Sequence, residues 1–429
     1  MKNIILLFAF FSLFVFTPLL NKLGYLGGDS GPAYFKILPS TYIIALSFVF
    51  VLFAKAGDFW SILYRKKYGF TLLVLCLVLW MYVILENRTN SISFMADTLI
   101  ASAMLAIILP KYDRKLNIAV QRVILTFFVI DCLFAVVERL LSHNFFPPLY
   151  LNVLTIYYEQ AFRSTALLGH PLNNALNLIV IMGFIYLSRI KYKNLLLLLG
   201  MIGLLCFGSR GAIYGFISLT CLHYIIYRYL YNRNTFNGIG STNKFYTYLY
   251  FIFGGLTLVV LLFYTHFGDR LLSVSVYDEG SAGARVRLLA ILDYVNAHEI
   301  LWGLSSHRID ILKNRLDLEI IENFWLQWVL RFGLVFTFLL FISITALLYN
   351  RLYYLYINER LYLISLFFLV ASTNNSLATS TGAISTFILC TAGFNPFRYL
   401  VKISSSDASG NPRAINSPNP YPNPNLELI

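Results

Sequence analysis

Arginine carries a planar, permanent charge that pairs well with phosphate oxygens, and this chain places it at three turns. Arg163 opens the stretch "FRSTALLGHPLNNALNL". Arg210 sits in "CFGSRGAIYGF", a turn with almost no loop between two apolar runs. Arg285 and Arg287 follow Gly280, Ala282 and Gly283 and open the apolar run "RVRLLAILDYV". At a helix start, unpaired N–H groups and the helix dipole add to the guanidinium, so the combination suits a polyanion. Residues two apart diverge by about 200° on a helix. Arg285 is therefore the expected ligand arm, and Arg287 the structural one, pairing with Asp278, Glu279 or Asp293. The plainer readings are a snorkelling anchor for Arg210 and an ordinary salt-bridged surface helix for 285–287.

Proton-transfer candidates are few. His170, in a Gly-His-Pro turn after Arg163, is either a ligand contact or polar surface. In "IIENFWLQWVLRFGLV" the residues Glu322 and Asn323 stand just before an apolar helical pattern. Glu322 is either a helix-start carboxylate favoured by the dipole or a general base. Arg331 falls two turns inside that apolar run, where it needs a partner or a water-filled cavity. Asp97 and Asp131 also fall in apolar runs and are expected to pair with Arg122 or Arg331. Arg88 and Arg139 lie at run ends, as anchors. Cys76, Cys132, Cys206, Cys221 and Cys390 show neither metal spacing nor disulfide pairing and read as small core residues. There is no His-x-x-x-His, Asp-x-Asp or Walker loop. No cofactor is expected, and fixed cations would do what a metal does elsewhere.

The elements that hold these residues are set by composition. Of 429 residues, 58% are hydrophobic and 12% charged, about half the charge of a soluble protein. The long continuous runs predict an all-α polytopic membrane protein of about 12 transmembrane helices and exclude an outer-membrane barrel. The expected spans are 3–20, 39–54, 69–86, 93–110, 116–137, 172–188, 194–208, 210–229, 246–265, 323–348, 361–373 and 382–396. The first resembles a signal peptide but lacks a small-x-small cleavage site, so it is retained as a helix. No internal repeat suggests a transporter.

The net charge of +13 reflects sidedness rather than nucleic-acid binding, because the basic residues are scattered in twos and threes. With a cytoplasmic N-terminus every inside loop is basic: Arg65-Lys66-Lys67, Lys111 with Arg114-Lys115, Arg189 with Lys191 and Lys193, Arg228 with Arg233 and Lys244, and Arg351 with Arg360. The segments 138–171 and 266–322 then lie outside, with an excess of arginine that includes Arg270, Arg308 and Arg315. Residues 1–403 form one transmembrane unit including the loop 266–322. Residues 404–429, rich in Ser, Pro and Asn, read as a disordered cytoplasmic tail. Tyr157, Tyr158, Tyr277, Trp302 and Trp325 are either sugar-stacking platforms or interface-belt residues.

Four stretches, in this order and spacing, resemble the O-antigen polymerase and ligase superfamily of the Wzy and WaaL type. They are "FRSTALLGHPLNNALNL", "FGSRGAIYGF", "GARVRLLAILDYVNAHEILWGLSS" and "ENFWLQWVLRFGLV", together covering about 163–335. The resemblance implies a GT-C-type, metal-independent, inverting glycosyltransferase in the bacterial inner membrane, with both termini cytoplasmic and a periplasmic active site. Its donor and acceptor would be undecaprenyl-diphosphate-linked oligosaccharides, and its partners the lipid bilayer, a chain-length regulator and a flippase. The resemblance makes Arg210 and Arg285 the grip on the donor diphosphate. Arg163, His170, Arg287, Asn323 and His307 are expected around the substrate.

Ligases of the family carry a His-Asn pair where this chain has Glu322-Asn323. That departure favours the polymerase, with Glu322 as base and His307 and Asp293 as further candidates. The alternatives are a ligase of the same fold and a transporter of lipid-linked oligosaccharide, which would need a charged path through the bundle rather than charges at one side.

Overall fold

The computed structural model describes residues 2–15, 19–20, 23, 25, 37–54, 56–86, 92–110, 112–145, 162–231, 288, 290–316, 318 and 321–395. Arg88, Arg270, Asp278, Glu279, Arg285, Arg287, Tyr157, Tyr158, Tyr277, the expected span 246–265 and the tail 404–429 lie outside the described residues. Among the described residues the chain is helical and has no strand.

The helices are α1 (Lys2–Phe14), α2 (Pro39–Ala54), α3 (Lys67–Leu85), α4 (Met95–Ile108), α5 (Arg114–Leu141), α6 (Pro171–Leu187), α7 (Lys193–Phe207) and α8 (Arg210–Tyr231), followed by α9 (Ala297–Trp302), α10 (Ser306–Arg315), α11 (Phe324–Arg351), α12 (Ile357–Ser372) and α13 (Ala383–Gly393). Among the described residues, α3, α5 and α11 are long and apolar enough to cross a membrane. The apolar helices α1, α2, α4, α6, α7 and α13 are shorter, at 10–17 residues. On α2, Leu46, Phe50 and Phe53 are 72%, 66% and 79% exposed. Water penalises so broad an apolar face, and lipid does not.

The bundle is built around α6 and α13, which are apolar on every side. Every residue of α13 is buried, as is α6 from Asn174 to Ile185. All-round hydrophobicity marks a helix that faces other helices in every direction, and α13 accordingly packs on α4, α5 and α6, while α6 packs on α7 and α12. Four of the five cysteines are buried there as expected. Cys221 is exposed on α8, because that helix packs on α12 and α6 and turns its remaining side outward.

Among the described residues, Asp97 and Asp131 do not pair with arginines. Asp97 Oδ1 accepts from Leu38 N at 3.0 Å and Thr41 Oγ1 at 2.6 Å, at the start of α2. It lies in a π-helical turn, Met95–Ile100. Asp131 accepts from Leu167 N at 3.2 Å, and Arg122 is exposed. Backbone N–H groups satisfy a buried carboxylate without the cost of desolvating a second ion, so the ion pairs expected from the sequence are unnecessary.

One end of the bundle gathers basic residues. Lys66 Nζ and Arg351 NH1 both donate to Leu109 O, at 2.6 and 3.3 Å. Lys2 pairs with Asp113 at 2.9 Å, and Asp113 caps α5 through Leu116 N. The opposite end carries the polar loops.

The helix α11 breaks at Gly333, whose φ of +84° a side-chain-bearing residue rarely adopts. The break frees the Leu330 carbonyl, which accepts from Leu304 N at 2.6 Å. It also lets α9 lie against the kink, and Tyr82 OH of α3 donates to Trp302 O at 2.6 Å. The loop leading back to α11 has its own small core of Leu288, Ile291, Leu304, Leu312, Leu318, Ile321 and Leu330. In the described part of the helical run expected from Arg285, Leu288 is helical and Ala290–Tyr294 form a 3-10 turn. Asn296 then starts α9 with a capping box.

Candidate functional site

The polar end of the bundle brings together four separate segments. The loop 162–170 runs beside the C-terminus of α7. There, Ser164 N donates to Cys206 O at 3.1 Å and Arg163 Nε to Phe207 O at 3.0 Å. These carbonyls have no partner within their own helix, so the loop serves as the helix cap. The loop itself is organised by Glu138, at the end of α5. This fully buried carboxylate accepts from Phe145 N at 3.1 Å, Ser164 Oγ at 2.5 Å, Thr165 N at 2.9 Å and Ala166 N at 2.8 Å. Arg139, expected to be a membrane anchor, is instead buried and donates to Phe162 O while its guanidinium lies over the Phe162 ring. Loop and helix end together leave it no route to the surface.

His170 closes the loop and caps α6, its Nδ1 accepting from Leu172 N at 3.3 Å. Nε2 therefore carries the proton in the neutral ring. Burial, and then the Arg163 cation, push its pKa down to about 4, so the imidazole is uncharged at neutral pH. The fully buried Asn174, one turn on, donates to Thr165 O and His170 O and accepts from Leu168 N.

Arg210 is the first residue of α8, immediately after the turn Gly208–Ser209, and is half-buried. Its helix start is pressed onto the end of α12: a Cβ on Gly211 would come within 2.7 Å of the Thr373 side chain. From Thr373 the chain enters "STNNSLATSTG", 372–382, which ties the remaining segments together. Asn374 O accepts from Phe324 N at 3.1 Å, and Ser376 Oγ donates to Asn173 Oδ1 at 2.7 Å. Thr98 Oγ1 donates to Thr379 O at 2.7 Å. Asn323 caps α11 through Leu326 N at 3.1 Å. Glu322, directly before it, is half-buried, and among the described residues its carboxylate has no hydrogen-bond or ion-pair partner. The helix starts at Arg210 and at Asn323 thus both meet the Thr373–Asn374 turn, and Asn173, three residues after His170, meets the same 372–382 segment at Ser376.

The other expected residues fall elsewhere. His307 is exposed on the first turn of α10, and Asp293 is exposed on the 3-10 turn. Arg308 is spent on Glu299 and Tyr294 O, and Arg315 lies over the Tyr294 ring at 4.2 Å. Trp325 is tied into the bundle, with Nε1 donating to Ser372 Oγ at 2.7 Å and its ring among Phe324, Phe341 and Phe368. Arg331 lines a cavity beside Asp310, with its guanidinium over the Phe94 ring. Among the described residues, no cluster of three His, Cys, Asp or Glu side chains is placed to hold a metal ion.

Comparison of the chain with protein-family models, with characterised proteins and with solved structures finds no match.

Sequence reasoning missed Glu138 and the 372–382 turn. Their signals were available. Glu138 is a carboxylate at the end of an apolar run facing a polar loop, and "STNNSLATSTG" is a wholly uncharged polar turn between apolar helices. A search for charges passes over such a turn, although amides and hydroxyls organise buried backbone as well as ions do.

Proposed function

We propose that this protein is a polysaccharide polymerase of the bacterial inner membrane. It transfers a growing glycan from one undecaprenyl-diphosphate carrier to the end of a lipid-linked repeat unit on the periplasmic face. The observation that supports this reading is that the start of α8, at Arg210, and the start of α11, just after Glu322, both meet the Thr373–Asn374 turn, at the bundle end opposite Lys66 and Arg351. Each comes from a stretch that resembles the polymerase and ligase superfamily.

The chemistry follows from the residue types. Glu322 removes the proton from the acceptor hydroxyl as its oxygen attacks the anomeric carbon. The bond from that carbon to the phosphate oxygen breaks, configuration inverts, and the carrier diphosphate leaves with the bonding electrons. Negative charge on the diphosphate grows along this path. Arg210, and Arg285 on the strength of the family resemblance, stabilise the charge most where it is largest, which is how binding becomes rate. Arg163 is held in place by the Phe207 carbonyl, and the neutral His170 offers Nε2–H to a sugar or phosphate oxygen.

The test is Arg210→Ala in cells that make the polymer. The variant should insert at the wild-type level yet give only single repeat units on the final lipid, with at least 100-fold less long chain, as expected when one electrostatic donor is removed. A normal chain-length ladder overturns the reading. Polymer accumulating on the carrier would instead identify a ligase.

A further inference from the structure

The break in α11 also fixes how deep the end of α9 sits. Lys66 and Arg351 share the Leu109 carbonyl, so α3 and α11 set out from one level, and basic residues mark a membrane boundary. At about 1.5 Å per residue, Tyr82 lies about 23 Å along α3 from Lys67, and Gly333 about 27 Å along α11 from Arg351. The hydrocarbon layer is about 30 Å thick, and tilt of the helices only brings both points nearer the starting boundary. Both points touch the same short stretch of loop. Tyr82 OH donates to Trp302 O at 2.6 Å, and the backbone of Leu301 and Trp302 lies so close to Gly333 that a Cβ there would collide with it. Two further features agree with such a depth. Backbone inside the hydrocarbon layer has to satisfy its polar groups without water. Here Gly303 N donates to Glu299 O at 2.7 Å and Leu304 N to Leu330 O at 2.6 Å, while Trp302 O is held by Tyr82. Along α9 the order Ala-His-Glu-Ile-Leu-Trp runs from polar to apolar toward the kink, and Leu301 and Trp302 are 42% and 43% exposed.

We propose that residues 301–304 are a re-entrant tip, where the loop dips into the leaflet opposite Lys66 and Arg351 and sets Leu301 and Trp302 among lipid acyl chains. The exposed Met81 and Leu85 on α3, and Leu334 and Phe338 on α11, carry the same apolar surface along both neighbouring helices, so the tip continues a surface that a bilayer covers. Two half-exposed side chains fall far short of the roughly 800 Å² per partner of a stable protein interface, whereas lipid demands no minimum area. Tryptophan, with an apolar ring and one N–H, suits the level just inside the boundary. The proposal rests on α3 and α11 crossing a membrane and is independent of the glycan-transfer reading.

The experiment uses the full-length protein in phosphatidylcholine vesicles, with and without bromine on the acyl chains. Cys221→Ser removes the exposed native thiol, and Leu301→Cys, Phe338→Cys and His307→Cys each then carry a bimane label. Brominated lipid should quench the label at 301 as it quenches the one on the α11 face at 338, and aqueous iodide should quench it far less than the one at 307 on the exposed start of α10. Without any label, brominated lipid should quench the tryptophan fluorescence of the wild type more than that of Trp302→Phe, which keeps the test sound if Leu301→Cys does not fold. Iodide quenching at 301 as strong as at 307 would place the tip in water. Quenching by neither reagent would mean that protein covers it, from this chain or a second copy. Either result overturns the proposal, as does equal quenching of the wild type and Trp302→Phe. A label at 338 untouched by brominated lipid would remove α11 from the bilayer and the proposal with it. Arg210→Ala should leave all these readings unchanged, so a normal polymer ladder in that variant would end the polymerase reading while the tip stood.

Discussion

At both ends of the bundle a cation closes a helix by donating to a carbonyl left over at its C-terminus. Arg163 does this for Phe207, and Lys66 and Arg351 do it for Leu109. The ends differ in what surrounds the cation. At the Leu109 end the neighbouring charges, Lys2 and Asp113, are partly exposed. At the Phe207 end a buried carboxylate, Glu138, draws three backbone N–H groups and a hydroxyl onto itself, and so presses the loop 162–170 against the helix. The same bond merely ends a helix in one place and fixes a rigid polar floor in the other. A residue that resembles a phosphate ligand in sequence is useful as one only when its support is as well satisfied as Arg163's is.

The sharpest way to break that contrast is Glu138→Ala. It strands the buried Thr165 and Ala166 N–H groups, each at a cost of about 1–3 kcal/mol. Thermal or denaturant unfolding in detergent should show that loss, and under the proposed function polymer formation should be lost in parallel. Lys66→Met, which removes the corresponding bond at the other end, should cost about 1 kcal/mol or less, because its ammonium is partly solvated. Equal losses would mean that the two ends are built alike.

Much of this was legible beforehand. Apolar runs located the helices because a bilayer-facing or buried helix has to be apolar along its length, and the pairing of Arg210 with a helix start followed from the shortness of its turn. What was not legible depends on contacts between segments far apart in sequence. Asp97 reads as half of an ion pair until α2 is found to begin beside it. Arg139 reads as a surface anchor until Phe162 folds over it. The kink at Gly333 was likewise hidden, since an ordinary glycine in an apolar run gives no sign of a loop helix waiting to pack there.

That kink gives the next largest expected effect. In Gly333→Ala the new Cβ would lie 2.2 Å from Leu301 O, at a φ of +84°. Backbone strain alone costs about 1–3 kcal/mol, and the clash forces α9 away. The Tyr82–Trp302 and Leu304–Leu330 bonds should break with it, so protease cleavage between 290 and 304 should accelerate at least tenfold while the core of the bundle stays folded. An unchanged cleavage rate would show that α9 does not depend on the kink. Because α9 leads directly into the wall of the Arg331 cavity, the same variant should loosen that recess and leave the Arg163 loop intact, which separates the two polar regions experimentally.

The last contrast between the two ends is in acid sensitivity. Burial and Arg163 hold His170 near pKa 4, below its ordinary 6.5. Between these values the unfolded chain takes up a proton that the folded chain refuses, so stability falls as pH drops from 6.5 toward 4. At the other end the Lys2 ammonium, donating to Asp113, holds that carboxyl below its usual range. Its support is present at neutral pH and is lost only at pH values below that range. The Phe207 end should therefore loosen first on acidification. His170→Asn keeps a side-chain oxygen to cap α6 but cannot titrate. Across pH 6.5 to 4 its melting midpoint should fall less than that of the wild type, while other carboxylates contribute equally to both. Parallel midpoints would show that His170 is as exposed to protons folded as unfolded, and would remove the neutral imidazole from the proposed contact with substrate.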